Sequence, residues 1–410
     1  MRRLGFGLSR ELWIVEAGIF LNMLGYGGVL PFEVIYLHEG RGFSLGTAGL
    51  VVGVVTGLAV FAAPVAGPVI DRVGARVTAA GAGTGLALGY GGLAFAHTPG
   101  QAFAAAAIAG AGNGALIPSQ SALVAALAPP EVRHRATAVS RVAANVGVGL
   151  GGTLGGLVAA SGLNGLIVLF LANALTYVLY VAILVLAVHD DVRPPPVAGG
   201  YRLLLRDRAF VRLALINVAL IGVGWGVFTW IVPPYAREVI GVDPRRIGLL
   251  LLANALTVVV AQLAVARLSE GRRRAMTMAI AALTFVVACL LVAGADLVGS
   301  GYAYAVLVVA AIVVGVGECF HTTALMPLVA DLAPAAIRGR YMAAIGLSWW
   351  LGLALAPTLG TQLLGVSPRA TMLAAAGVAL AAGLSALALE RDLPAAIRLT
   401  PRPAASTEPG

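Results

Sequence analysis

Residues 67–77 read GPVIDRVGARV. Asp71, Arg72 and Arg76 crowd into this short stretch of a chain that is 60% hydrophobic and only 11% charged. Apolar runs flank it, at roughly 44–66 and 77–97. About 20 apolar residues in a helix cross a bilayer. The charged stretch therefore reads as a hairpin at a membrane surface. Gly74 suits a tight turn that needs positive φ.

Outward from this hairpin, twelve such runs can be drawn. They lie near 12–37, 44–66, 77–97, 102–128, 136–160, 165–188, 210–235, 246–267, 275–294, 302–331, 341–365 and 370–389. A soluble domain is about half apolar and a quarter charged. This chain, with mean hydropathy +0.94, is built for lipid. The first run follows Arg2, Arg3 and Arg10, is longer than a signal-peptide core and has no clear cleavage site, so it reads as a retained helix.

Charge sets the orientation. All 27 basic residues are arginine. With both ends inside, the arginines divide 21 to 5 in favour of the cytoplasm, Arg141 falling within a span. The net charge of +9 is thus accounted for by the membrane surface, and no nucleic-acid partner is expected. Abundant Gly and Ala beside arginine-only basicity suggest a GC-rich bacterial genome. The expected location is the bacterial inner (plasma) membrane, multi-pass, with cytoplasmic termini.

The domain plan is a first six-helix bundle over 1–188, a Pro-rich cytoplasmic linker over 189–209, a second bundle over 210–393 and a disordered tail over 394–410. An offset of 205 residues lays Gly112–Arg135 over Gly317–Arg340 without a gap. Leu127, Ala128 and Pro129 meet Leu332, Ala333 and Pro334; Arg133 and Arg135 meet Arg338 and Arg340. Spans 4–5 thus repeat as spans 10–11, in the same direction. The fold class is all-α: twelve transmembrane helices in two six-helix bundles, a 6+6 pseudo-repeat.

Together these features resemble the major facilitator superfamily. Gly67, Asp71, Arg72, Gly74 and Arg76 match its loop signature G-x-x-x-D-R-x-G-x-R. In span 5, Gly147, Gly151, Gly155 and Gly156 match the glycines of the antiporter motif G-x-x-x-G-P-x-x-G-G, with Gly152 at the proline position. Small residues at this spacing allow close helix contact. The arginine that such exporters often carry early in span 4 is missing; Arg141 is the candidate substitute. The resemblance implies that Gly67 lets span 2 approach span 11. Asp71 would then sit at the N-terminus of span 11 near Arg340, a latch formed when the cytoplasmic side is closed.

Ionisable groups within spans are expensive and mark function. The resemblance implies that helices 1, 4, 7 and 10 line the cavity. Glu318 ranks first, midway along span 10, with His321 three residues on and on the same face. Glu33 follows Pro31 near the outer end of span 1. Asn113 is the repeat partner of Glu318, and Gln120 shares its face. Asn22, Asn217, Tyr26 and Trp225 are candidate liners. Glu16 reads as reaching cytoplasmic water and Trp230 as an interface anchor.

No metalloprotease, serine-hydrolase or Cys/His metal pattern is present, and a phosphate loop needs the lysine this chain lacks. No enzyme activity, cofactor or metal is expected. Cys289 and Cys319 lie in apolar runs and form no framework. The expected function is secondary active transport by alternating access: proton-coupled export of small amphipathic or cationic compounds. The alternative is a proton symporter importing a metabolite, sugar or peptide. Expected partners are a small-molecule substrate, protons and the lipid bilayer, with the protein a monomer.

Overall fold

The computed structural model describes residues 8–128, 133–188, 204, 206–334 and 338–400. Among these, twelve long helices follow one another. The first six are α1 (Arg10–Gly40), α2 (Leu45–Val73), α3 (Ala75–Ala94), α4 (Pro99–Leu127), α5 (Arg133–Ala159) and α6 (Leu163–Ala187). The second six are α7 (Arg208–Glu238), α8 (Pro244–Ser269), α9 (Arg274–Gly294), α10 (Ser300–Leu332), α11 (Arg338–Val366) and α12 (Pro368–Leu389). Eleven are long and apolar enough to cross a membrane; α3 is the exception. Each of the twelve expected runs coincides with one helix.

Local chemistry sets the helix ends. Ser9, Ser44, Thr98, Asp207, Asp243 and Ser367 cap the first turns of α1, α2, α4, α7, α8 and α12 with side-chain oxygens. Gly74, at φ 91°, divides α2 from α3, as its position in the charged stretch required. Helices α4 and α10 end at repeat-equivalent positions. Ala128 and Ala333 are extended there, and each precedes a proline in sequence.

The repeat extends to packing. In the first half α1 packs on α5 and α6, α4 on α2 and α3, and α3 on α6. In the second half α7 packs on α11 and α12, α10 on α8 and α9, and α9 on α12. Two bundles result, joined mainly by α2 against α11 and α5 against α8.

We call the end carrying residues 8 and 400 the terminal end and the opposite end distal. The bundles meet at the distal end and part toward the terminal end. Down α2, a Cβ on Gly49 or Gly53 would strike Thr361 or Thr358 of α11, and one on Gly57 would lie 3.8 Å from Ala354. At Gly67 nothing lies within 4 Å. On α5, Gly156, Gly152 and Gly149 touch α8 in turn, whereas Val142, further toward the terminal end, is exposed. The cleft is open at the terminal end. The span 2–span 11 approach expected at Gly67 is not made in this state. The side chain of Asp71 lies outside the described residues, so its contact with Arg340 does too.

Two departures from regular helix matter. Pro31 lacks a backbone N–H, and Leu30–Phe32 tightens to a 3-10 turn. In α7, Gly222–Ile231 is π-helical, with i→i+5 bonding.

Helix α7 begins at Arg208, inside the stretch expected as linker; most of that linker lies outside the described residues. Residues 394–400, assigned to the tail by the sequence, are folded. Ala395–Ile397 forms a 3-10 turn. Beyond it the backbone pairs with the α8–α9 turn: Gly271 N donates to Thr400 O (2.9 Å), Arg274 N to Arg398 O (2.8 Å) and Thr400 N to Arg272 O (2.9 Å). A turn with free N–H and C=O groups offers an edge that a composition-based reading misses.

Candidate functional site

Glu33 sits just beyond the Pro31 break in α1 and is 3% exposed. Its carboxylate has two donors. Tyr90 of α3 donates to Oε1 at 3.0 Å, and the indole N–H of Trp230 in α7 donates to Oε2 at 2.8 Å. The second bond crosses from one bundle to the other. Tyr90 is itself held by rings: Tyr177 of α6 stacks on it at 6.2 Å and Tyr26 meets its edge at 6.5 Å. Glu33 therefore ends a tyrosine-lined core and accepts a bond that crosses the distal closure.

At the distal rim, α1 and α7 meet twice more. Arg237 pairs with Glu39 (3.3 Å) and His38 with Glu238 (3.8 Å). These pairs are a third exposed or thereabouts, in a setting where ion pairs contribute little.

Glu318 lies in α10 and is 6% exposed. Asn254 of α8 donates to its Oε1 at 3.0 Å. The Trp225 indole of α7 faces the same carboxylate and packs edge-on against Trp349 at 4.7 Å. Thr322 bonds back to the Glu318 carbonyl. His321 is 1% exposed, with Nε2 unpartnered among the described residues; no hydrogen bond joins it to Glu318.

The two carboxylates share α7. Residues five apart lie about 140° apart around an α-helix, but one π turn takes an extra residue and brings them to nearly the same face. The π-helical stretch thus turns Trp225 and Trp230 the same way. One meets Glu318 within its own bundle; the other meets Glu33 across the interface.

Other expected liners are buried: Asn22, Asn113, Gln120 and Asn217 are each 7% exposed or less. Asn217 donates to Ser348 of α11 at 2.7 Å. Two expectations change. Glu16 is 2% exposed and accepts from Ser140 of α5 at 2.7 Å, because α5 covers it. Trp230 is no surface anchor; it is 3% exposed on Glu33. Tyr90 and Asn254 escaped the sequence reading because they come from α3 and α8, outside the helices searched for liners.

The glycine motif of α5 serves two neighbours. Gly147, Gly151 and Gly155 let α1 approach, where added Cβ atoms would meet Phe20, Leu24 and Gly28. Gly152 and Gly156, rotated around the helix, meet Leu251 and Pro244 of α8 in the other bundle. Arg141 is exposed on α5, and Arg72 is exposed at the terminal surface. Arg76 donates to the Val188 carbonyl, tying the α2–α3 hairpin to the end of α6.

Among the described residues no cluster of His, Cys, Asp and Glu could hold a metal ion. Two overlapping stretches, residues 16–296 and 214–409, match the model of the Major Facilitator Superfamily. An uncharacterized MFS-type transporter of Bacillus subtilis, YttB, is 31% identical over 176 residues, 42% of this chain and 43% of its own. Multidrug resistance protein MdtH of Aeromonas hydrophila is 26% identical over 208 residues, 50% of this chain and 51% of its own. The chain thus spans about half the length of these curated relatives. Among solved structures, a peptide transporter POT in complex with sulfate superposes with TM-score 0.79 at 18% identity, covering 97% of this chain and 96% of its own. A bacterial homologue of the human lysosomal transporter Spinster, in an inward-facing and occupied conformation, gives 0.73 at 15% identity over 95% and 98%. These likenesses fix the fold. The chain is a multi-pass membrane protein that belongs to the major facilitator superfamily.

Proposed function

We propose that this transporter exports small amphipathic or cationic compounds in exchange for protons, by alternating access. The supporting observation is the bond from Trp230 to Glu33, which makes a titratable group part of the distal closure. The terminal end, rich in arginine, faces the cytoplasm by the positive-inside rule, with the protein a monomer in the bacterial inner membrane.

In this reading the present state is open to the cytoplasm. Charged Glu33 is best served when the distal end is closed, because only then do Tyr90 and Trp230 both reach it. Opening α1 away from α7 removes one donor from the carboxylate, at a cost of about 1–3 kcal/mol. Protonation lifts that cost, so a proton from the distal side favours the open form and is released after closure. A ligand shifts such an equilibrium only by binding its two states unequally. Glu318, set between the Asn254 amide and the Trp225 indole, offers an acidic group beside aromatic surface to a cationic substrate. The name of the MdtH relatives supports export. Uptake of a peptide or metabolite by symport would use the same carboxylates and is the competing reading.

The test is dye efflux in everted vesicles energised by a pH gradient, comparing wild type with Glu33→Gln and Glu318→Gln. Export is expected in wild type, with loss of gradient-driven accumulation in Glu33→Gln and loss of cation transport in Glu318→Gln. Gradient-driven movement of solute in the opposite direction would overturn export. Unchanged coupling in Glu33→Gln would remove it from the proton pathway.

A further inference from the structure

The two bundles differ in their buried polar atoms. Twelve such side-chain atoms have no hydrogen-bond partner among the described residues, and eight of them lie in the first bundle. They belong to Glu16 and Asn22 of α1, Asn113 and Gln120 of α4, and Asn173 and Tyr180 of α6. Folded proteins leave few buried polar groups unpaired; internal water, with about three hydrogen bonds per molecule, is the usual partner.

Apart from Asn113, these side chains follow one another along α1. At the terminal end Ser140 bonds Glu16 through Oε1, leaving Oε2 unpartnered. The Tyr180 hydroxyl faces the Gln120 amide. Asn173, Tyr177 and Tyr180 recur at spacings of four and three on one face of α6. That face lies on α1, Tyr180 against Gly18 and Asn173 against Gly25, with Asn22 between them in sequence. Tyr177 then stacks on Tyr90, whose hydroxyl reaches Glu33. The line runs through α1, α4 and α6 of one bundle. Among the described residues the second bundle, around Glu318, has no counterpart of this length.

We infer that the first bundle holds a file of internal water from Glu16 to Glu33, along which a proton leaves Glu33 for the terminal end while the distal end is closed. Glu33 gives its proton to the adjacent water, each water passes one on, and Glu16 receives one. One proton moves and no bond other than O–H changes. The facing charged and titratable groups are Glu16, Glu33 and the tyrosines at 26, 90, 177 and 180, with Arg141 following Ser140 on α5. Water suits the lining better than a bound cation: four of the eight unpartnered atoms are amide nitrogens, which donate and repel a metal ion. The conduction role rests on the proposed proton coupling; the hydration does not.

X-ray hydroxyl-radical footprinting of the full chain in lipid nanodiscs tests it. Radicals formed from bound water mark neighbouring aromatic rings even when bulk solvent is excluded. Tyr177 and Tyr180 are expected to label many-fold faster than Phe285, equally buried in the second bundle. Labelling no faster than Phe285 would overturn the file. Gln120→Leu, which keeps volume and removes both polar atoms, is expected to cut Tyr180 labelling several-fold. It is also expected to slow substrate-driven proton flux by roughly an order of magnitude. Should Gln120→Leu disturb folding, Gln120→Glu, which restores polar atoms, is expected to keep both. Full proton flux with labelling abolished would overturn the conduction role. Absence of proton flux in wild type would overturn the functional reading instead, leaving the labelling result standing.

Discussion

Trp230 of the second bundle donates its indole N–H to Glu33 of the first, 2.8 Å away and out of contact with solvent. Trp230→Phe keeps the ring and deletes the donor. A hydrogen bond to a charged group contributes about 1.5–3 kcal/mol, so the distal-closed population should fall relative to open by roughly tenfold or more. Spin labels on Gly100→Cys and Gly301→Cys, at the distal starts of α4 and α10 where no atom lies within 4 Å, would report a longer distance. An unchanged distribution would show that the bond does not hold the closure.

The rim pairs offer the contrast. Arg237 and Glu39 side chains are both 37% exposed. Arg237→Ala should alter the same distance distribution by less than about 1 kcal/mol in population, and less still at high salt. An effect equal to that of Trp230→Phe would mean that the rim, and not the buried bond, governs closure.

Asn254→Leu leaves Glu318 short of its amide donor. Loss of a partner to a buried acceptor costs about 1–3 kcal/mol. Thermal unfolding in detergent should drop by a few degrees. Cation binding by isothermal calorimetry should change in Asn254→Leu, while a variant at lipid-facing Leu263 stays at wild-type affinity.

Gly151→Val and Gly155→Val would force α1 away from α5. Overpacking at such crossings costs about 1–3 kcal/mol. Both variants should show reduced monodisperse yield on size exclusion. Gly81→Val, at a position with nothing within 4 Å, should not.

Removing residues 394–410 deletes the pairing of Arg398 and Thr400 with the α8–α9 turn. The expected outcome is a lower melting temperature with transport retained. Loss of transport at unchanged melting temperature would give the segment a part in the cycle.

The spans were legible because a membrane helix is written in length and apolarity, both local properties. The Gly74 turn and the shared ends of α4 and α10 were legible for the same reason: glycine and proline act on their own backbone. Glu33 and Glu318 stood out as acids in apolar runs. Their partners did not. Tyr90, Asn254 and Trp230 are joined to them by tertiary packing, 57, 64 and 197 residues away in sequence. The π stretch of α7 escaped for another reason: its sequence, GVGWGVFTWI, is apolar in either helical register. Glu16 was misread because depth along a span does not reveal that Ser140 and α5 cover it.

The uneven sharing of polar groups has an evolutionary consequence. After a duplication that left two similar scaffolds, the halves came to carry different chemistry. One is furnished with tyrosines and amides around Glu33; the other holds Glu318 between an amide and an indole. If Glu33 couples the proton and Glu318 holds the cargo, as proposed, selection for new cargo can act on α8, α10 and α11 without disturbing the energy source. In that same reading, lesions that waste the gradient should collect in α1, α4 and α6. A screen for altered cargo should then map to one half of the gene, and a screen for leakiness to the other.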